Sequence, residues 1–168
     1  MVELRRPTSA FLAVAKGWHE DEETNRLTGF GPGKAGVLRA HKSLEKLVEN
    51  CPPDHRLLAV WKDRNPVGYV VVESIDPDNR KAGLHITLGP GWRGEGIGVE
   101  ALREAVLFCF KEGLFRLEFK PKVSNKRAIE TAIKAGGKLE ARTKYSAWGP
   151  EGPIDQAQIR FVKPEYKL

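Results

Sequence analysis

Residues 93 to 98 read Arg93-Gly94-Glu95-Gly96-Ile97-Gly98, between a strand-like run from Ala82 to Leu88 and a helix-like run that follows. Three glycines in six residues at a strand-to-helix turn leave backbone N–H groups free of side-chain cover. Those donors lie at the positive end of the helix, which suits a phosphate anion. After the turn, Leu102, Ala105, Val106, Cys109 and Phe110 recur at helical spacing, and Gly113 stops the helix.

The flanks extend this pattern. Before the turn, Arg56 to Trp61 and Val67 to Ser74 read as strands joined by a tight turn at Asp63 to Pro66. A second turn at Asp76 to Asn79 leads into residues 82–88, so three strands form an antiparallel meander. Further upstream, Val2 to Arg6 is a short strand, and Thr8 or Ser9 caps a helix running to Trp18. Glu20 to Glu23 and Thr28 to Gly36 read as an acidic and a glycine-rich loop. Leu38 to Glu49 reads as a helix with Leu38, Leu44, Leu47 and Val48 on its apolar face, ended by Pro52 and Pro53.

Downstream, Phe115, Leu117 and Phe119 alternate with charged residues as a strand does. A helix from Ser124 or Asn125 buries Ala128, Ile129, Ala132 and Ile133 and ends at Gly136 and Gly137. Leu139 to Tyr145 and Ala157 to Phe161 alternate again, around a turn holding Gly149, Pro150, Gly152 and Pro153. The expectation is a mixed α/β (α+β) fold of about seven strands and four helices, one domain over residues 1–168.

Composition limits the function classes. Hydrophobic content of 40% and charged content of 30% predict a soluble globular protein. The longest apolar run, Ala105 to Phe110, is too short to cross a bilayer, so no membrane partner is expected. Charges among the first twenty residues argue against a secretory signal, and Cys51 and Cys109 are too few for a disulfide framework or a zinc site. The prediction is a cytoplasmic protein without a metal, acting as a monomer or homodimer. The net charge of +6 is concentrated between Lys111 and Lys144, where ten Lys or Arg face four Asp or Glu. That basic third suits a polyanionic small ligand. It would also attract nucleic acid, but no nucleic-acid motif accompanies it.

Two motif readings of the turn fail on context. Gly89, Gly91 and Gly94 fit a dinucleotide fingerprint, with Glu118 as the ribose carboxylate, yet the turn follows a meander and the chain ends in an antiparallel hairpin. A P-loop at Gly33-Lys34 fails because Ala35 follows and Thr28 occupies the first glycine position.

A third reading is a resemblance. Arg93, Gly96 and Gly98 match the pyrophosphate loop of the GNAT superfamily of N-acetyltransferases, with Pro90 and Trp92 at familiar flanking positions. Gly98 to Leu102 resembles that family's helix start, and Asn125 to Ala128 with Lys134 to Gly136 resembles its second conserved segment. The match is densest over residues 82–145 and is nearest the ribosomal-protein N-terminal acetyltransferase branch.

The resemblance implies acetyl-CoA as acyl donor and a primary amine as acceptor, more often on a protein than on a small molecule. It implies that Ile86, Thr87 and Leu88 pair with pantetheine through their backbone, and that Arg93, Gly94, Glu95, Gly96, Ile97 and Gly98 hold the pyrophosphate. Asn125 is either a pantetheine contact or only a helix cap. The family's usual strand carboxylate falls at Gly83, which leaves His85 and Glu73 as candidate bases. The usual leaving-group acids fall at Ala128 and Ala132, which leaves Tyr145 or water. The acceptor pocket is expected from Trp18 to Lys34 and Trp148 to Asp155, where Glu20, Asp21, Glu22, Glu23 and Asp155 either attract a cationic amine or are simply solvated. Trp148 either lines the pocket mouth or closes the core. A non-catalytic module that binds CoA or a partner protein is the alternative.

Overall fold

The computed structural model describes residues 1–166, so Lys167 and Leu168 of the expected domain lie outside the described residues. The strands are β1 (Val2–Arg5), β2 (Arg56–Lys62), β3 (Asn65–Asp76), β4 (Lys81–Leu88), β5 (Arg116–Phe119), β6 (Lys138–Gly149) and β7 (Gly152–Val162). The helices are α1 (Ser9–Trp18), α2 (Glu22–Thr28), α3 (Gly33–Glu49), α4 (Ile97–Lys111) and α5 (Lys126–Lys134). All seven strands form one sheet in the order β1-β2-β3-β4-β5-β7-β6.

Every neighbouring pair is antiparallel except β4 and β5, which run parallel because α4 carries the chain across between them. Their register runs from Lys81 opposite Arg116 to Leu84 opposite Phe119 and stops there. β4 continues to Leu88, so among the described residues its last half has β3 on one side and no strand on the other. The sheet therefore opens in its middle, beside the glycine turn.

Strand alternation sends residues to two cores. Val70, Val72, Ala82, Leu84, Leu117 and Phe119 pack against the apolar stripe of α4 and α5. Leu57, Ala59, Tyr69 and Val71 face the other way, onto Phe11, Leu12, Ala15 and Trp18 of α1 and Leu44 of α3. Cys109 lies in the first core, where burial pushes its thiol up to about 12, and Cys51 is exposed. No helix among the described residues is long and apolar enough to cross a membrane.

The meander, the helix after the glycine turn and the strand after it form as expected. Four local expectations do not hold. The acidic stretch forms α2, because the Asp21 carboxylate caps it by accepting from the Thr24 amide at 2.9 Å. α3 begins five residues early, behind Pro32. Its buried positions are Gly36, Ala40 and Leu44, four apart, and Leu38 lies half a turn off that stripe, exposed. In α5, Ile129 and Ala132 define the buried face, and Ile133 falls beside it and is exposed. β6 is the sheet's outer strand and its pairing with β7 is broken at two bulges. Leu139 and Tyr145 are consequently exposed rather than part of a buried stripe.

The approach of β3 to β4 is tight at Gly68, where an added Cβ would collide with the Thr87 carbonyl and lie 2.7 Å from Leu88 Cδ2. Gly68→Ala should therefore cost about 1–3 kcal/mol. Gly91→Ala, with nothing within 4 Å of the new methyl, should leave the urea midpoint unchanged. Equal midpoints for the two variants would refute the close-packing account.

Candidate active site

The opening between β4 and β5 leads into a cleft of about 700 Å³. One wall is the glycine turn with the N-terminal ends of α4 and α5. The opposite wall comes from α2, the loop after it and α3, through Leu27, Phe30, Leu44 and Leu47. The floor is the face of β3 and β4 that carries Tyr69, Val71, Glu73, His85 and Thr87.

The glycine turn has the geometry that anion binding requires. Gly94 and Gly96 take φ of 85° and 77°, left-handed values that side chains resist. The chain then enters α4, with no side-chain cap on its first amides. Val99 and Glu100 donate back to the Gly96 carbonyl at 3.1 and 3.2 Å. Among the described residues, the amides of 93 to 98 have no intramolecular acceptor. Gly98 also brings α4 close to α5, since a Cβ there would lie 3.1 Å from Thr131 Cγ2.

Side chains in this stretch behave differently from one another. Gly94, Gly96 and Gly98 line the cleft, whereas Ile97 buries its side chain in the core and Glu95 lies 3.9 Å from Lys62 Nζ. Arg93 turns away from the turn's amides toward α2. It donates to the Thr24 hydroxyl and to Glu23 Oε2 at 3.4 Å, and lies 3.6 Å from Asp21 Oδ2. Two of the acidic residues expected to attract an amine are therefore held by Arg93. Hydrogen bonds from Thr24 in turn hold the Asp21 carboxyl below its usual range. Glu20 and Glu22 border a separate shallow pocket beside Lys34 and His41.

On the floor, His85 Nε2 and Glu73 Oε1 are 2.7 Å apart. Glu73 stands opposite Gly83 in the β3–β4 register, and a Cβ on Gly83 would lie 3.1 Å from Glu73 Cγ. The glycine thus makes room for the neighbouring strand's carboxylate. The hydrogen bond from His85 pulls the Glu73 carboxyl below its usual value, against the opposing effect of burial. Ile86 and Leu88 lean onto the α4–α5 core while Thr87 faces the cleft floor. Asn125 both caps α5, accepting from the Ala128 amide at 3.2 Å, and lines the cleft.

The structure does not bring Tyr145 to this cleft. It lies 77% exposed on the bulged part of β6, where its amide donates to Asp155 at 2.9 Å. Trp148 is 80% exposed and neither lines the cleft nor closes the core; Ile154 and Gln156 of β7 reach the cleft instead.

One buried group escaped the sequence reading. His19 is completely enclosed, with Nδ1 2.8 Å from Asn25 Oδ1 and Nε2 2.7 Å from the Tyr69 hydroxyl. Tyr69 lies in an apolar strand, and nothing in its local pattern set it apart from core. The signal available was His19 immediately after Trp18, a titratable residue at the end of an apolar helix face.

Residues 2–138 match the family model described as the acetyltransferase (GNAT) domain. The chain belongs to the GNAT acetyltransferases. No curated protein matches it. Among solved structures it is similar to a spermidine N-acetyltransferase from Vibrio cholerae in complex with CoA and spermine (16% identity, TM-score 0.80, covering 98% of this chain and 97% of that one). It is also similar to the self immunity acetyltransferase MccE in complex with acetyl-CoA and AMP (19%, 0.80, 96% and 92%). A third is RimL, a ribosomal alpha-N-protein acetyltransferase in complex with CoA (14%, 0.80, 96% and 93%).

Burial lowers the His19 pKa from 6.5, more than its bond to Asn25 raises it. The unfolded chain therefore takes up a proton at this position before the native protein does. The associated stability is fully present above pH 6.5 and is lost as the pH falls toward the native value. His19→Gln should remove this component, so its urea midpoint should fall less than wild type between pH 7 and 5. Parallel curves would contradict it.

Proposed function

We propose that this acetyltransferase transfers the acetyl group of acetyl-CoA to a primary amine on a protein or peptide, by direct attack of the neutral amine on the thioester. The observation that carries this reading is the run of unspent amides at residues 93 to 98, beside the gap between β4 and β5. Those amides, with the α4 N-terminus, provide a fixed positive potential for the pyrophosphate. The backbone of Ile86, Thr87 and Leu88, without a β5 partner, offers hydrogen bonds to the pantetheine arm. Asn125 lies on the other side of the same gap.

Bound acetyl-CoA supplies the acetyl group as an activated thioester. The chain's own work is to orient the amine and take its proton. An amine is mostly protonated near neutral pH, so one proton goes to solvent to give the neutral form, and on attack the nitrogen must lose a second proton. The His85–Glu73 pair accepts it, with Glu73 stabilising the imidazolium across their 2.7 Å contact. Glu73 occupies the space left at Gly83, so the carboxylate that the resemblance places on β4 is supplied from β3. A new N–C bond forms, the C–S bond breaks, and the thiolate takes its proton from water.

The charges of the cleft support a peptide amine over a polyamine. Lys46, Arg93, Lys120, Lys122, Arg127 and Lys134 line it, against Glu73 and Glu130. On the α2 side Asp21 and Glu23 are already paired with Arg93 rather than open to a polycation. A peptide amine brings one charge and an apolar body that Leu27, Phe30 and Leu47 can cover. The expectation of one domain in the cytoplasm, working as a monomer or homodimer, belongs to the same reading. Ala128 and Ala132, where a leaving-group acid would stand, favour a second reading in which the chain binds CoA or a partner without catalysis.

Acetyl-CoA at millimolar concentration should raise the melting temperature by several degrees. Gly96→Ala, strained at φ 77°, should weaken that shift. Thiol release across a panel of peptide amines and polyamines separates the two readings; CoA binding with no release under any acceptor would leave only the module. His85→Ala should lower turnover by about 10²-fold with acetyl-CoA affinity within twofold of wild type. Unchanged turnover would remove His85 from the mechanism.

A further inference from the structure

The buried chain of groups behind the cleft floor has a fixed hydrogen-bond polarity. Asn25 Nδ2 donates to the His19 carbonyl at 2.7 Å, and an amide nitrogen can only donate. The Asn25 oxygen therefore faces His19 Nδ1 at 2.8 Å, which makes Nδ1 the protonated nitrogen. Nε2 is left with its lone pair, and at 2.7 Å it accepts from the Tyr69 hydroxyl. The Tyr69 proton is thus committed inward. Thr87 stands opposite Tyr69 in the β3–β4 register and lines the same cleft. Accepting capacity remains on that phenol oxygen, and Tyr69 is one of the residues that line the cleft.

Tyr69 and His85 lie on the same face, one diagonal step apart in the β3–β4 register, or about 7–8 Å at the backbone. That spacing leaves room for a nitrogen between them. We propose that the Tyr69 oxygen accepts a hydrogen bond from the attacking amine and so aims the amine lone pair at the thioester carbon, with His19 and Asn25 as positioning residues that hold the phenol in this acceptor state. A neutral primary amine has two N–H bonds. One is held by Tyr69 throughout; the other provides the proton that the His85–Glu73 pair takes. Tyr69 gives up no proton of its own, and burial keeps it un-ionised by raising its pKa.

The inference rests on the proposed acetyl transfer and is tested on the acceptor side of it. The probe is the best acceptor from a panel of unblocked tetrapeptides. Tyr69→Phe should raise the KM for that peptide about tenfold, and its Kd for the CoA-bound protein by a similar factor, with acetyl-CoA Kd unchanged. A peptide KM within twofold of wild type would overturn the inference, as would equal weakening of peptide and acetyl-CoA. Should Tyr69→Phe fail to fold, ¹⁵N spectra of the wild-type protein decide. A neutral His19 protonated on Nδ1 supports the assignment, and one protonated on Nε2 overturns it. Transfer by wild type that survives Tyr69→Phe unchanged removes only this inference; no transfer by wild type to any amine removes the proposed function along with it.

Discussion

The separation of β4 from β5 after Leu84 and Phe119 is the constraint on which the rest of the molecule turns. Backbone amides and carbonyls inside a sheet need partners, and a central strand that loses one neighbour halfway along exposes a row of them. Here the exposure is built in. The two strands are parallel, so the chain must cross over between them, and the crossover begins with the glycine turn and α4. The same connection that opens the strands therefore places a helix N-terminus with free amides at the end of the opening. Fold and candidate site are products of one topological choice.

Around that opening, polar groups are paired in ways that assign them different tasks. Asp21 and Glu23 face Arg93, so the acidic helix α2 is tied to the glycine turn rather than left to draw in cations. This link joins the two walls of the cleft, since α2 belongs to one and the turn to the other. Glu73 is the exception among nearby carboxylates, because it reaches the floor beside His85. Its access depends on what Gly83 lacks: a Cβ at that position would press on the Glu73 side chain.

Much of this was legible in the sequence. The glycine turn, the meander before it and the helix after it follow from local chemistry: glycine at positive φ, tight turns and periodic apolar residues. His85 and Glu73 were identifiable singly, from alternation and position along their strands. Their pairing was not, because it depends on the β3–β4 register. The missed helix α2 is too short to show a convincing apolar period, and its cap is a single residue, Asp21, whose carboxylate accepts from Thr24. Leu139 and Tyr145 alternate as buried residues do, but periodicity cannot tell that β6 lies at the edge of the sheet. Tyr145 lies where the pairing of β6 with β7 shifts register, between Thr143 and Ala147, and alternation along β6 alone does not reveal that.

Tyr69 shows a different limit. Its neighbours Val67, Val70, Val71 and Val72 make it look like one more aromatic in an apolar strand. What sets it apart is a chain of donors and acceptors from two other segments: Asn25 in α2 and His19 at the end of α1. Each link is an ordinary hydrogen bond, yet the direction of the whole chain is set at the Asn25 amide, remote from the cleft. A buried polar network is costly unless every member is satisfied. In this one the inner members are paired with each other, and the member with spare accepting capacity is Tyr69, which lines the cleft.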